Sequence, residues 1–183
     1  MKAGRTQFVI DPAGIPAKAC AGLTCLSAAV RTLWFILAHG AGAGAYTTIV
    51  HFALPVLCCV FLALCVLQGK LRLAVLPVFF GCLFFILKAL TFPSIIHTVL
   101  CCILYTAVLL LYSATVFGLL PTRVPLGLIF TIPFFYHLFV EDLAKLRSPT
   151  PPTLVEWMPE ISVLLIMAGL ACAAWGMGKA GER

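Results

Sequence analysis

Six side chains could do chemistry in this chain: Arg31, His51, Lys88, His97, His137 and Glu141. A guanidinium or an ammonium can hold an anionic or zwitterionic small molecule, and imidazoles can complete such a site as hydrogen-bond partners. His137 and Glu141 lie four residues apart, so on a helix they share one face, the spacing that presents two metal ligands or an acid/base pair together. No second His-x-x-x-His or Glu-x-x-His element accompanies them and the other histidines occur singly, so no bound metal or other cofactor is expected. No nucleotide-binding loop is present either, and any step driven by ATP would need a separate partner.

These groups stand out because their surroundings are so apolar. Of 183 residues, 63% are hydrophobic and only 10% charged, with a mean hydropathy of +1.14. Soluble domains are about half apolar and about a quarter charged, so this chain has too little polar surface to cover itself in water. Disorder is excluded by the same composition. The 12 Lys and Arg are scattered singly, with no basic stripe to suit nucleic acid. The lipid bilayer is the expected solvent.

A helix needs about 20 mostly apolar residues to cross roughly 30 Å of hydrocarbon. The sequence predicts an all-α, polytopic membrane domain of six such helices, over about 17–38, 46–67, 73–90, 95–119, 125–140 and 159–178. Glycine-rich or proline-containing turns separate them: His39-Gly-Ala-Gly-Ala-Gly-Ala45, Gln68-Gly69-Lys70, Thr91-Phe92-Pro93-Ser94 and Pro121-Thr122-Arg123. Barrel strands would alternate apolar with polar residues, whereas these runs are apolar on every face. A cleavable leader ending at the Ala-Gly repeat is disfavoured by Arg31, which interrupts its apolar stretch.

With the N-terminus inside, eight Lys/Arg fall on the inner side (Lys2, Arg5, Lys18, Lys70, Arg72, Arg123, Lys179 and Arg183) and three on the outer (Lys88, Lys145 and Arg147). That asymmetry predicts both termini in the cytoplasm. The titratable groups within the spans then gather in the outer third of the membrane. The predicted site is a polar pocket open to the outside, ringed by the six residues named above. The competing reading is that Lys88, Glu156 and Glu160 merely reach headgroups and water, and that Arg31 snorkels to the interface.

Other features divide between structure and function. Seven of the nine cysteines read as small hydrophobes in mid-span or toward span ends, while Cys20 and Cys25 lie near the inner surface, where acylation is a weaker alternative. Pro55, Pro77 and Pro133 lie inside predicted spans and should kink them, with Pro55 and Pro133 each one turn from a histidine. Small residues line one face of the first helix (Ala17, Ala21, Cys25 and Ala28) and of the sixth (Gly169 and Ala173), for packing within the bundle or against a partner membrane protein. In its size, six spans, inner termini and small-residue first helix the chain resembles the substrate-binding membrane subunit of energy-coupling-factor vitamin transporters, which implies capture of a small solute. Two alternatives remain open: a non-catalytic membrane subunit that packs against a partner, and a lipid-directed enzyme using His137 and Glu141.

Overall fold

The computed structural model of the chain describes residues 8–90, 94–120, 131–136, 138, 139 and 152–179. Its elements are helical except for one short clasp. α1 is Ile15–His39, α2 is Ala45–Leu67, α3 is Val75–Leu90 and α4 is Ile95–Val116. α5 is the helical segment 131–136, and α6 is Leu154–Gly176. Four of them, α1, α2, α4 and α6, are long and apolar enough to cross a membrane. α3 is apolar but shorter, at 16 residues.

The helix ends follow local chemistry. Gly14 caps α1 in an extended conformation and Pro16 occupies its first turn, where a missing N–H costs nothing. α2 closes in a Schellman turn: Gly69 has φ +67°, its N–H donates to Val66 O, and Lys70 N–H donates to Cys65 O. α4 ends the same way at Gly118, φ +73°, with Leu119 N–H donating to Ala114 O at 2.7 Å. The expected end at residue 119 is therefore a few residues late: the glycine stops the helix before Pro121 can. α6 begins at Leu154, five residues before the expected start at 159. Glu156 explains the extension, since its carboxylate accepts from both Thr153 N–H (2.7 Å) and Thr153 Oγ–H (3.0 Å) and so fixes the first turn. Pro159 is tolerated within the helix because it lies so near this capped end.

Pro55 leaves its mark on α2. It has no N–H to give the carbonyl of His51, four residues back, and the helix widens just there into a π-turn over Ile49–Ala53, with Leu54 N–H donating to Ile49 O.

α1 and α6 form the most extensive contact in the molecule, and they run antiparallel. Ser27 meets Ser162, Gly169 meets Cys20 and Thr24, and Gly176 meets Pro16. The buried stripe on α1 is Ala17, Cys20, Ala21, Thr24, Ser27, Ala28 and Arg31. Cys25, expected on this face, is exposed, because the stripe advances by the three-residue step from Ala21 to Thr24. An α-carbon substituent at Gly169 would come 3.2 Å from Cys20 O, and one at Gly176 would overlap the Pro16 ring. α1 also packs on α2, α2 more sparsely on α3, and α3 on α4. Phe85 and Tyr105 stack at 4.8 Å across the last of these pairs.

One departure from an all-helical chain joins its two ends. Phe8–Val9 and Gly178–Lys179 pair as a two-residue antiparallel ladder, with Phe8 opposite Lys179. Phe8, Ile10 and Met177 are buried beneath it. The α2–α3 turn lies at this same end, since Gly69 abuts Pro12 and Tyr112 O–H donates to Leu71 O at 3.0 Å.

Candidate functional site

All six helices contribute to one cavity, of about 100 Å³. α1 supplies Arg31, and α2 supplies Leu54, Pro55, Cys58, Cys59 and Leu62. α3 gives Pro77 through Phe85, α4 gives Tyr105 and Val108, α5 gives Pro133, and α6 gives Ser162 through Leu170. The three prolines singled out in the sequence all lie on its wall. Pro55 cannot close the helical bond to His51, and α2 widens there, whereas Pro77 stands in the first turn of α3, where no helical bond is lost, so the expected kink inside that helix does not arise from it.

The wall is apolar except at its Arg31 end. Arg31 is 6% exposed, and its Nε–H has no hydrogen-bond partner among the described residues. Aromatic faces flank the cation: its Cζ is 5.1 Å from the Trp34 ring centre and 5.9 Å from that of Phe84. Such contacts offset part of the cost of removing a guanidinium from water, but they do not satisfy its N–H donors. The charge that acts on it is Glu160, itself only 7% exposed, one helix away on α6. Below Arg31 the α1–α6 contact is polar again: Ser27 Oγ is 2.7 Å from Ser162 O and 2.8 Å from Ser162 Oγ, with Cys59 Sγ at 3.9 Å.

Of the predicted polar ring, the side chains of Arg31, His51 and His97 are described. Arg31 lines the cavity. His51 lies in the π-turn of α2, half-buried and within electrostatic reach of Arg31 and His39, but off the cavity wall. His97 belongs to a separate cluster: its Nδ1 is 2.8 Å from Tyr136 Oη and its Nε2 is 3.5 Å from Cys101 Sγ, tying α4 to α5. Lys88 lies in α3, and its side chain is outside the described set. His137 and Glu141 fall outside the described residues, as does the segment between Pro121 and Phe130.

Three contributors are not visible in the sequence. Glu160 stands there as a group reaching the interface, and nothing marks Ser27 or Ser162. The antiparallel register identifies all three, because opposed residues of α1 and α6 have numbers that sum to a nearly constant value. Gly176 with Pro16 and Gly169 with Cys20 and Thr24 set that register, and it carries Ser27 to Ser162 and Arg31 to the turn holding Glu160.

The thiols on the wall, Cys58, Cys59 and Cys82, are unpaired and pack among aliphatic neighbours. The chain is similar to no known family model, no curated protein and no solved structure.

Proposed function

We propose that this is a six-span membrane protein, with both termini in the cytoplasm, that binds or moves a small solute through the cavity headed by Arg31. The observation that carries the reading is the guanidinium: buried, facing an otherwise apolar cavity, with Nε–H unsatisfied. Burying a charge and leaving one of its donors unused is costly, and polar groups held inside a membrane protein mark ligand paths more often than packing.

The span count is supported by where the helix ends lie. The ladder of Phe8–Val9 with Gly178–Lys179, the α2–α3 turn and the C-terminal end of α4 all meet at one end of the bundle. α4 begins at the opposite end, since its 22 residues rise about 33 Å. α3 must therefore travel the full length between the end of α2 and the start of α4. α4 finishes at the clasp end and α6 starts at the far end, which is in keeping with one further crossing that includes α5. Counting α3 and that crossing with the four long apolar helices gives the proposed six. The shared end also carries Lys70, Arg72 and Lys179, in keeping with a cytoplasmic face.

The subunit alternative needs a docking face other than the one first considered, because the small-residue stripes of α1 and α6 pack on each other. The enzyme alternative rests on His137 and Glu141, and no described residue adds to it.

The test is native mass spectrometry of the protein released from a mild detergent. The wild type should carry a small molecule that Arg31→Gln and Arg31→Leu lose. If both variants retain it at wild-type occupancy, the cavity reading falls.

A further inference from the structure

The cavity is asymmetric along its length and across its walls. At the Arg31 end the guanidinium lies against the rings of Trp34 and Phe84. Among the described residues no aspartate or glutamate belongs to the wall, and Glu160 is not part of it. An incoming carboxylate would meet the unsatisfied Nε–H there. Away from Arg31 the wall is Leu62, Val78, Val108, Met167 and Leu170. Along α3 it extends from Phe84 back to Pro77, about 10 Å of helix. A space of about 100 Å³ is below the size of an engineered apolar cavity that takes up benzene, so it suits a single short aliphatic chain of about four to six carbons and excludes a long-chain or two-chain lipid body.

The side wall between α2 and α3 is thin. Phe80 lines the cavity and is still 41% exposed on the outside of the bundle. Gly81, beside it, has nothing within 4 Å of where a Cβ would stand. Elsewhere glycines permit close approach of two helices, as at Gly169 and Gly176. Here no described residue packs over the missing side chain, on a helix that touches α2 only sparsely.

We propose that the occupant is a lipid-soluble, single-chain carboxylic acid that enters sideways from the bilayer between α2 and α3, past Gly81, and lodges with its carboxylate on Arg31 and its chain toward Pro77 and Leu170. This rests on the solute-binding reading and adds to it the class of molecule and the route.

Trp34 is the reporter. A variant retaining it alone (Trp157→Phe, Trp175→Phe) is placed in phosphatidylcholine nanodiscs and titrated with hexanoic acid brominated on its chain, and separately with its methyl ester. A second variant retaining only Trp175, whose ring is 50% exposed on the outer surface, reports acid that is merely dissolved in the bilayer. Saturable quenching of Trp34 by the acid is expected, at loadings where quenching of Trp175 still rises linearly, with at least tenfold weaker binding of the ester. Arg31→Gln should weaken acid binding at least tenfold. Gly81→Leu should slow both uptake and release of the acid at least tenfold in stopped-flow quenching, with an unchanged melting temperature, because no described residue stands within 4 Å of its Cβ position. Equal binding of acid and ester overturns the carboxylate assignment. Unchanged uptake and release rates in Gly81→Leu overturn the route. Absence of saturable quenching from a wild type that still carries its co-purified molecule overturns the ligand class and leaves the solute-binding reading standing; absence of both removes that reading too.

Discussion

At the scale of residues, the polar groups inside this protein fall into three kinds that a sequence cannot separate by type alone. Ser27 and Ser162 satisfy each other across α1 and α6. His97 is satisfied by Tyr136 and Cys101. Arg31 alone among the described residues keeps a buried donor without a partner. The serine pair should behave as a coupled unit. Ser27→Ala or Ser162→Ala should each cost about 1 kcal/mol, the range measured for hydrogen bonds between membrane helices. The double variant should cost clearly less than the sum, because it leaves no orphaned hydroxyl. Reversible unfolding in mixed micelles measures this, and strict additivity would show that the two hydroxyls do not depend on each other. Arg31 was legible in the sequence because a charge in mid-span is conspicuous. Glu160 was not: its depth in α6 could be judged only once the helix was known to start at Leu154, and its relation to Arg31 only from the register.

At the scale of elements, glycines have opposite meanings according to what faces them. Gly176→Ala places a methyl group into the Pro16 ring, where both helix backbones would have to separate. The expected loss is about 1–3 kcal/mol, typical of overpacking, seen as a lower melting temperature in detergent. Gly81→Ala meets open space and should be neutral or slightly stabilising, since alanine holds a helix better than glycine by up to about 1 kcal/mol. If the two variants melted alike, the close α1–α6 contact would be refuted. The sequence located the helices well, because runs of apolar residues and their breakers are local features. It erred at the ends, each time where a short-range device prevailed over a more conspicuous proline: Gly118 before Pro121, and the Thr153–Glu156 cap before Pro159. Cys25 was misplaced for a related reason. Small residues at 17, 21, 25 and 28 look continuous in sequence, but a helical stripe must take the step from Ala21 to Thr24 to stay on one face.

At the scale of the whole molecule, the arrangement depends on contacts between residues far apart in the chain, and these were the least legible. Hydropathy and the eight-to-three charge bias gave a number of spans and an orientation, yet neither shows that the first helix packs against the last. The structure adds that pairing, and the strand clasp with it. The pairing constrains topology, because antiparallel neighbours at the two ends of a chain must be joined by an even number of further crossings when their outer termini share a side. An inward N-terminus therefore entails an inward C-terminus and places the Gly40–Gly42 turn between α1 and α2 outside. Short epitope tags should report this directly. A tag after Gly42, where the backbone is exposed and meets no neighbour, should bind antibody on intact cells, and a C-terminal tag should bind only after permeabilisation. The opposite pattern would invert the charge-based orientation while leaving the bundle intact. Two tags on one side would mean that α1 does not cross the membrane, and the Arg31 cavity would then lose its place within the bilayer.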